Sequence, residues 1–431
     1  MNGIRNDYLR NLLIGLDRKV PILGGHEIIP INFDNAATTP VFKRVMSRML
    51  EISEYYGSIG RGMGQKSEYS TKVYNECREY ILKFFNAPND RYTAIFVNNT
   101  TEGINRLSNM LICNKNDIVI TTRMEHHSND LPWRGKCNLD YIEVDDLGRL
   151  MINELEDKLE SHNGNVKYVS VTAASNVTGY VNDIYKIARI VHKYGAKLIV
   201  DGAQIVAHKK VKMVDGDLNE SIDFLVFSAH KMYAPFGSGA IVGLKDTFEE
   251  VESDFKGGGT VNTVLDYEEV YLDPPDKQEA GSPNFFGAVA LVESMKQLRE
   301  IGYDEIDSNE HALLKRAIDG MKSIPKVREY GDLVNIEDRL GIVVFNVEGV
   351  YHAEVARALA KLRGIAVRQG AFCAHPYVKR LLKLTNEEAA KHLTDPMYKM
   401  PGMIRASFGI YNSVDEVDIF LNTLELISRM W

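Results

Sequence analysis

Lys231 sits at the centre of FSAHKMYAP, directly after the apolar run DFLVF (223–227). Thirty residues earlier a β-branched run, KLIVD, closes on Asp201. Two strand-like segments thus finish on an acid and on a Ser-x-His-Lys set. A carboxylate so placed can hold a protonated heteroaromatic nitrogen. Ser228 and His230 can bind a phosphate, and the Lys231 amine can form a Schiff base. Those are the groups a protein supplies to pyridoxal 5′-phosphate. A lysine alone says little, since most are solvated surface charges; its pairing with Asp201 carries the reading.

Ligands of open α/β sheets bind beyond the carboxyl ends of the strands, so the other strand ends matter too. Run 93–98 leads into NNTTEGIN, where Thr100 and Thr101 would open a helix. Helix N-terminal N–H groups with a hydroxyl form an anion site, although an ordinary threonine cap fits the same residues. Run 117–122 leads into RMEHHSNDLPW, where an imidazole could stack on a cofactor ring or merely occupy a loop. Run 166–172 leads into AASNVTG, where Asn176 could donate to a phenolic oxygen or complete a turn. Gln204 follows Asp201 in VDGAQ.

Such strand ends need a sheet to align them. Short apolar runs at 93–98, 117–122, 166–172, 197–201, 223–227 and 239–244 alternate with amphipathic helical stretches. IYKIARIVHKYG (184–195) is one, ending at a glycine suited to a helix C-cap. The alternation predicts an α/β fold with a mostly parallel sheet, its apolar strands covered on both faces. From about residue 300 the pattern changes to more widely spaced helix–strand units (GIVVFNV, HAEVARALAKLRG, IAVRQG, IRASFGIY), which predict a smaller α+β C-terminal domain. The expected division is an arm at 1–30 packing with the small domain, a large cofactor-binding domain at 31–290 and the small domain at 291–431. The proline- and glycine-bearing stretch 274–287 joins them, and 378–401 reads as a charged helical insertion.

Length and composition fit this picture. A chain of 431 residues exceeds one ordinary core. Its net charge of −8 argues against nucleic acid or an anionic membrane as partner. No apolar run approaches the roughly 20 residues that span a bilayer, and the N-terminal LLIGL is too short for a secretory leader. The four cysteines lack paired spacing, so neither a disulfide framework nor a zinc site is expected, and reduced thiols point to the cytoplasm.

The stretches FDNAATT (33–39), TTEGIN (100–105), EHHSNDLPW (125–133), SNVTG (175–179), VDGAQ (200–204), FSAHKMYAPFGSGA (227–240), EAGSPNF (279–285), RQGAFCAHP (368–376) and RASFGIYN (405–412) resemble, in order, the class V aminotransferase branch of fold-type I pyridoxal phosphate enzymes. Within it they resemble the SufS-type cysteine desulfurases and selenocysteine lyases. The resemblance implies that Lys231 carries the cofactor, Asp201 faces the pyridine nitrogen and His126 stacks on the ring as a catalytic residue. It assigns Thr100, Thr101, Ser228 and His230 to the phosphate, with Ser282 reaching the phosphate of a neighbouring subunit in a homodimer. Gln204 and Asn176 would tune the phenolic oxygen, and Arg405 would clamp a substrate carboxylate, with Arg368 a secondary candidate beside it.

Cys373 bears on the reaction. RQGAFCAHP matches the RxGxxCAxP loop of the desulfurases, in which a thiolate attacks the substrate sulfur and becomes a persulfide for an acceptor protein. A buried structural cysteine is the competing reading. Neighbouring Gly370, Ala371 and Pro376 favour a loop, and His375 could be a base or a turn residue. The implied activity is removal of sulfur from L-cysteine, or a related cysteine or selenocysteine substrate, to give alanine. The alternative is a C–S lyase, epimerase or aminotransferase in which Cys373 takes no part. The missing histidines motivate that alternative: Gly60-Arg61-Gly62-Met63-Gly64 stands where the family carries two of them, and Ala371 and Phe372 replace histidines before the cysteine. Asn99, in place of a family glycine, is a further departure.

Overall fold

The computed structural model describes residues 2–60 and 62–431, the side chains of residues 2–6 excepted; Arg61 lies outside the described residues. Seven strands form the main sheet: β1 (Tyr92–Val97), β2 (Ile118–Thr122), β3 (Asn138–Ile142), β4 (Val166–Thr172), β5 (Lys197–Asp201), β6 (Phe224–Ser228) and β7 (Gly239–Leu244). Their spatial order is β1-β7-β6-β5-β4-β2-β3. Every neighbouring pair is parallel except those of β7, which runs antiparallel to β1 and β6.

The continuous apolar runs have a physical cause. Successive side chains of a strand point to opposite faces, and here both faces are packed. Leu198 and Val200 enter one core with Leu225 and Phe227, while Ile199 enters another with Phe224 and Val226. β3 is the strand the runs do not predict. It lies at the sheet edge, and only Ile142 of its five residues is buried.

The helix opened by Thr100 is α1 (Thr100–Leu111), capped by the Asn99 side chain, which accepts from the Glu102 N–H. Gly103 lets α1 lie close against β6, since a Cβ there would sit 2.4 Å from Val226 Cγ1. The stretch 184–195 forms α2 (Ile184–Lys193), with Gly195 just beyond it at φ +74°. No helix among the described residues is long and apolar enough to cross a membrane.

A second sheet contains β8 (Val327–Tyr330), β9 (Ile342–Val347), β10 (Arg368–Gly370) and β11 (Met403–Ser407), in the order β8-β9-β11-β10 and antiparallel throughout. Its core is built on Phe345, Phe408 and Phe420, and Phe33 enters it edge-on against the last two at 5.0 and 5.8 Å. Leu13 of the arm packs into the main core, whereas Ile31 and Phe33, just beyond the arm, pack into the second. Stretch 378–401 is built of short helical segments. α3 (His375–Leu381) covers only its start, Lys383 turns into the left-handed region, and a short helix, Asn386–Ala390, and a single turn follow.

Candidate active site

The carboxyl ends of β4, β5 and β6, the start of α1 and the middle of β11 converge on a cavity of about 460 Å³. Thr100, Thr101, His126, Asn176, Asp201, Gln204, Ser228, His230, Lys231, Arg368, Cys373 and Arg405 all line it. Ser282 does not; it lines a separate groove with Asn98 and Glu102.

At one end of the cavity lie α1 and the turn after β6. The Ser228 hydroxyl accepts the Thr100 N–H at 2.7 Å and lies 2.7 Å from the Thr100 hydroxyl. The Thr101 hydroxyl meets Ser128 at 2.6 Å, and Ser128 in turn lies 2.9 Å from His126 Nδ1. Because Nδ1 also accepts the Ser128 N–H, the His126 proton belongs on Nε2. Burial, helped by Lys231, His127 and Arg405, pushes the His126 pKa down to about 3, so its ring is neutral. His230 is lowered to about 4, chiefly by burial and then by Lys231.

Lys231 ends a tight turn, Ala229–Lys231. Burial pushes its pKa down to about 8, against the pull of Asp201 and with a further push from Arg405. The turn is held by the FDNAATT segment: the His230 carbonyl accepts the Thr39 N–H at 3.1 Å and both threonine hydroxyls. Asp201 is buried at the end of β5, where Oδ1 accepts the Ala203 N–H at 2.9 Å. Burial raises its pKa, and Lys231 opposes the rise. Gln204 reaches back to the Ala36 carbonyl at 2.9 Å.

Arg405 and Arg368 pair across β11 and β10. Arg405 is buried; its Nη1 donates to the Asn176 carbonyl at 2.8 Å, its Nη2 to Asp34 at 3.1 Å, and its Nε has no partner. Arg368 is 49% exposed and meets the other Asp34 oxygen at 3.0 Å. Cys373 is exposed on the loop between β10 and α3. Phe372, before it, lays its ring over the Arg405 guanidinium, 5.2 Å from centroid to Cζ, and its carbonyl accepts from Asn176 Nδ2 at 2.8 Å.

Asp34 and Ser128 are parts that sequence reasoning missed. Each acts on another side chain, and the signal available was position alone, within FDNAATT and EHHSN. Glu125 of EHHSN is a third. It is buried, accepting from Thr122, Asn129 and the Thr172 N–H, and burial pushes its pKa up to about 8.

The set fits pyridoxal phosphate. Hydroxyls and helix N–H groups gather at one end, a buried acid and an amine lie along the cavity, and the neutral His126 ring also lines it. The unpartnered Arg405 Nε leaves a cation with hydrogen-bonding capacity for a substrate carboxylate.

Comparison with known proteins agrees. The family Aminotransferase class-V matches residues 31–420. A probable cysteine desulfurase of Pyrococcus abyssi is 35% identical over 405 residues, covering 92% of this chain and 93% of that one. The cysteine desulfurase of Wigglesworthia glossinidia brevipalpis is 32% identical over 410 residues, 93% of each chain. Among solved structures, the apo cysteine desulfurase of Thermococcus onnurineus NA1 superposes with a TM-score of 0.83 at 32% identity, covering 93% of this chain and 95% of that one.

Proposed function

The chain belongs to the class-V aminotransferase family, and from that premise we propose that it removes sulfur from L-cysteine, leaving alanine and a persulfide on Cys373. It is a pyridoxal phosphate enzyme with the fold-type I architecture. The observation that carries the reading is convergence: Cys373 lines the same cavity as Lys231, Asp201 and Arg405. The desulfurase names of relatives that span nearly the whole chain support it.

Bound here, the cofactor supplies an electron sink for the pair released when a substrate Cα–H ionises. The residues do the rest. Thr100, Thr101, Ser228 and His230 would hold the phosphate, and His126 would stack on the ring as a neutral imidazole. Asp201 would keep the pyridine nitrogen protonated, and Asn176 and Gln204 would serve the phenolic oxygen. Arg405, steadied by Asp34 and flanked by Arg368, takes the substrate carboxylate. Lys231 would hold the cofactor through its amine and would carry the substrate Cα proton. Cys373 attacks Sγ as the Cβ–Sγ bond breaks. The bonding pair stays on carbon, which gains a proton and leaves as alanine, and the sulfur remains on Cys373 as a persulfide for an acceptor thiol. Ser282 completes the phosphate site of a second subunit in a homodimer. Four unpaired cysteines are consistent with residence in the reducing cytoplasm.

The test is product analysis of the loaded enzyme with cysteine and a reductant, measuring alanine, sulfide and pyruvate together. Alanine and sulfide in equal amounts are expected, and Cys373→Ser should lower alanine formation by roughly 100-fold or more, as loss of a nucleophile does. Pyruvate and ammonia as main products, untouched by that substitution, would instead identify a C–S lyase.

A further inference from the structure

His127, the second histidine of EHH, is not among the cavity-lining residues, yet it grips the Cys373 loop at two points. Its backbone N–H donates to the Cys373 carbonyl at 2.7 Å. Its Nε2 accepts the His375 backbone N–H at 3.2 Å. The two imidazoles also meet edge to face, with centroids 4.7 Å apart. The gripped backbone needs holding, because Phe372 and Cys373 lie consecutively in the left-handed region, at φ +51° and +54°. Residues with a Cβ adopt that conformation rarely, and then singly. Asn176 fixes the preceding carbonyl, that of Phe372.

We propose that His127 is a positioning residue for the Cys373 thiol: its neutral imidazole, protonated at Nδ1, clasps the His375 N–H and so fixes the loop from which the thiol faces the cavity. The inference rests on the reading of Cys373 as sulfur acceptor. It explains how a loop with Ala371 and Phe372 in place of histidines still presents its cysteine in one conformation.

The clasp has a direction in pH. A proton on Nε2 would turn the acceptor into a donor aimed at another donor, and the loop would come free. Around His127 stand His126 beside it, Asp130 at the end of the short helix His127–Asp130, Arg134 in the turn that follows, and His375 from the loop. Burial, then His375, hold its pKa below the ordinary 6.5, and Asp130 pulls the other way. The clasp is therefore closed at neutral pH and opens only as pH falls below 6.5.

Hydrogen exchange of the loop amides, read by mass spectrometry alongside alanine kinetics on the holoenzyme, tests this. His127→Ala should speed exchange across 372–375 and lower kcat roughly tenfold, the worth of one hydrogen bond, with KM changed less than about twofold. His127→Gln, whose Oε1 replaces Nε2 and does not titrate, should restore both and abolish the acid limb of the wild-type kcat profile. Unmoved exchange and kcat in His127→Ala, or an acid limb kept in His127→Gln, would overturn the proposal. Cys373→Ser separates the two ideas. Full alanine formation there sinks the desulfuration reading whatever the exchange shows, whereas lost alanine with unmoved exchange in His127→Ala sinks only the clasp.

Discussion

Lys231 faces the opposite electrostatic demand from a surface lysine. Its ammonium has lost water and gained Arg405 as a neighbour, and Asp201 only partly offsets those losses. The pKa falls from 10.5 to about 8, so the free amine, the form that reacts with a carbonyl, is already abundant at mildly alkaline pH. The sign gives a test. Uptake of pyridoxal phosphate by the apo-protein, followed by visible absorbance, should rise through a midpoint near pH 8 and level off well before 10.5. Arg405→Ala, which removes a like charge, should move the midpoint up, and Asp201→Asn, which removes the stabilising carboxylate, should move it down. A wild-type midpoint near 10 would contradict the burial argument.

At the scale of elements, what could be read in the chain depended on whether one residue type had one use. β5 and β6 were legible because a strand packed on both faces is apolar at nearly every position, and Asp201 and Lys231 were legible because each ends or closely follows such a run. β3 was not, because an edge strand carries Asn138, Asp140 and Tyr141 without penalty. In the stretch 378–401 the charges suit helix, while the left-handed Lys383 and the prolines at 396 and 401 limit each helical segment to a few residues. Asp34 was invisible because its partner Arg405 lies 371 residues away. Asn99 shows the reverse error. Against a family glycine it reads as a departure, yet it caps α1, accepting the Glu102 N–H at 2.9 Å. Asn99→Ala should therefore cost about 1 kcal/mol, and Asn99→Gly only roughly a few tenths. Urea unfolding midpoints of the two variants measure the difference, and equal losses would show that the side-chain cap contributes nothing.

At the scale of the whole molecule the question is whether one chain makes a complete site. Ser282 lies in the turn before the long helix Phe285–Ile301, in a groove with Asn98 and Glu102 and apart from the cavity that holds Lys231. Within one subunit it does not line the phosphate end. Its proposed service to the phosphate therefore requires a dimer, and a hydroxyl on a phosphate oxygen is a charge-assisted hydrogen bond. Its loss should weaken cofactor retention roughly 10-fold to 100-fold, read by ultrafiltration after dilution. That result alone would not say which subunit's site suffers. Mixed dimers do, formed from one Ser282→Ala subunit and one Lys231→Ala subunit. Acting across the interface, Ser282 of the Lys231→Ala subunit completes the site that retains Lys231, so each mixed dimer keeps one site of wild-type affinity. Acting within its own subunit, it would leave the only lysine-bearing site without its serine, and every mixed dimer would bind the cofactor as weakly as the Ser282→Ala homodimer.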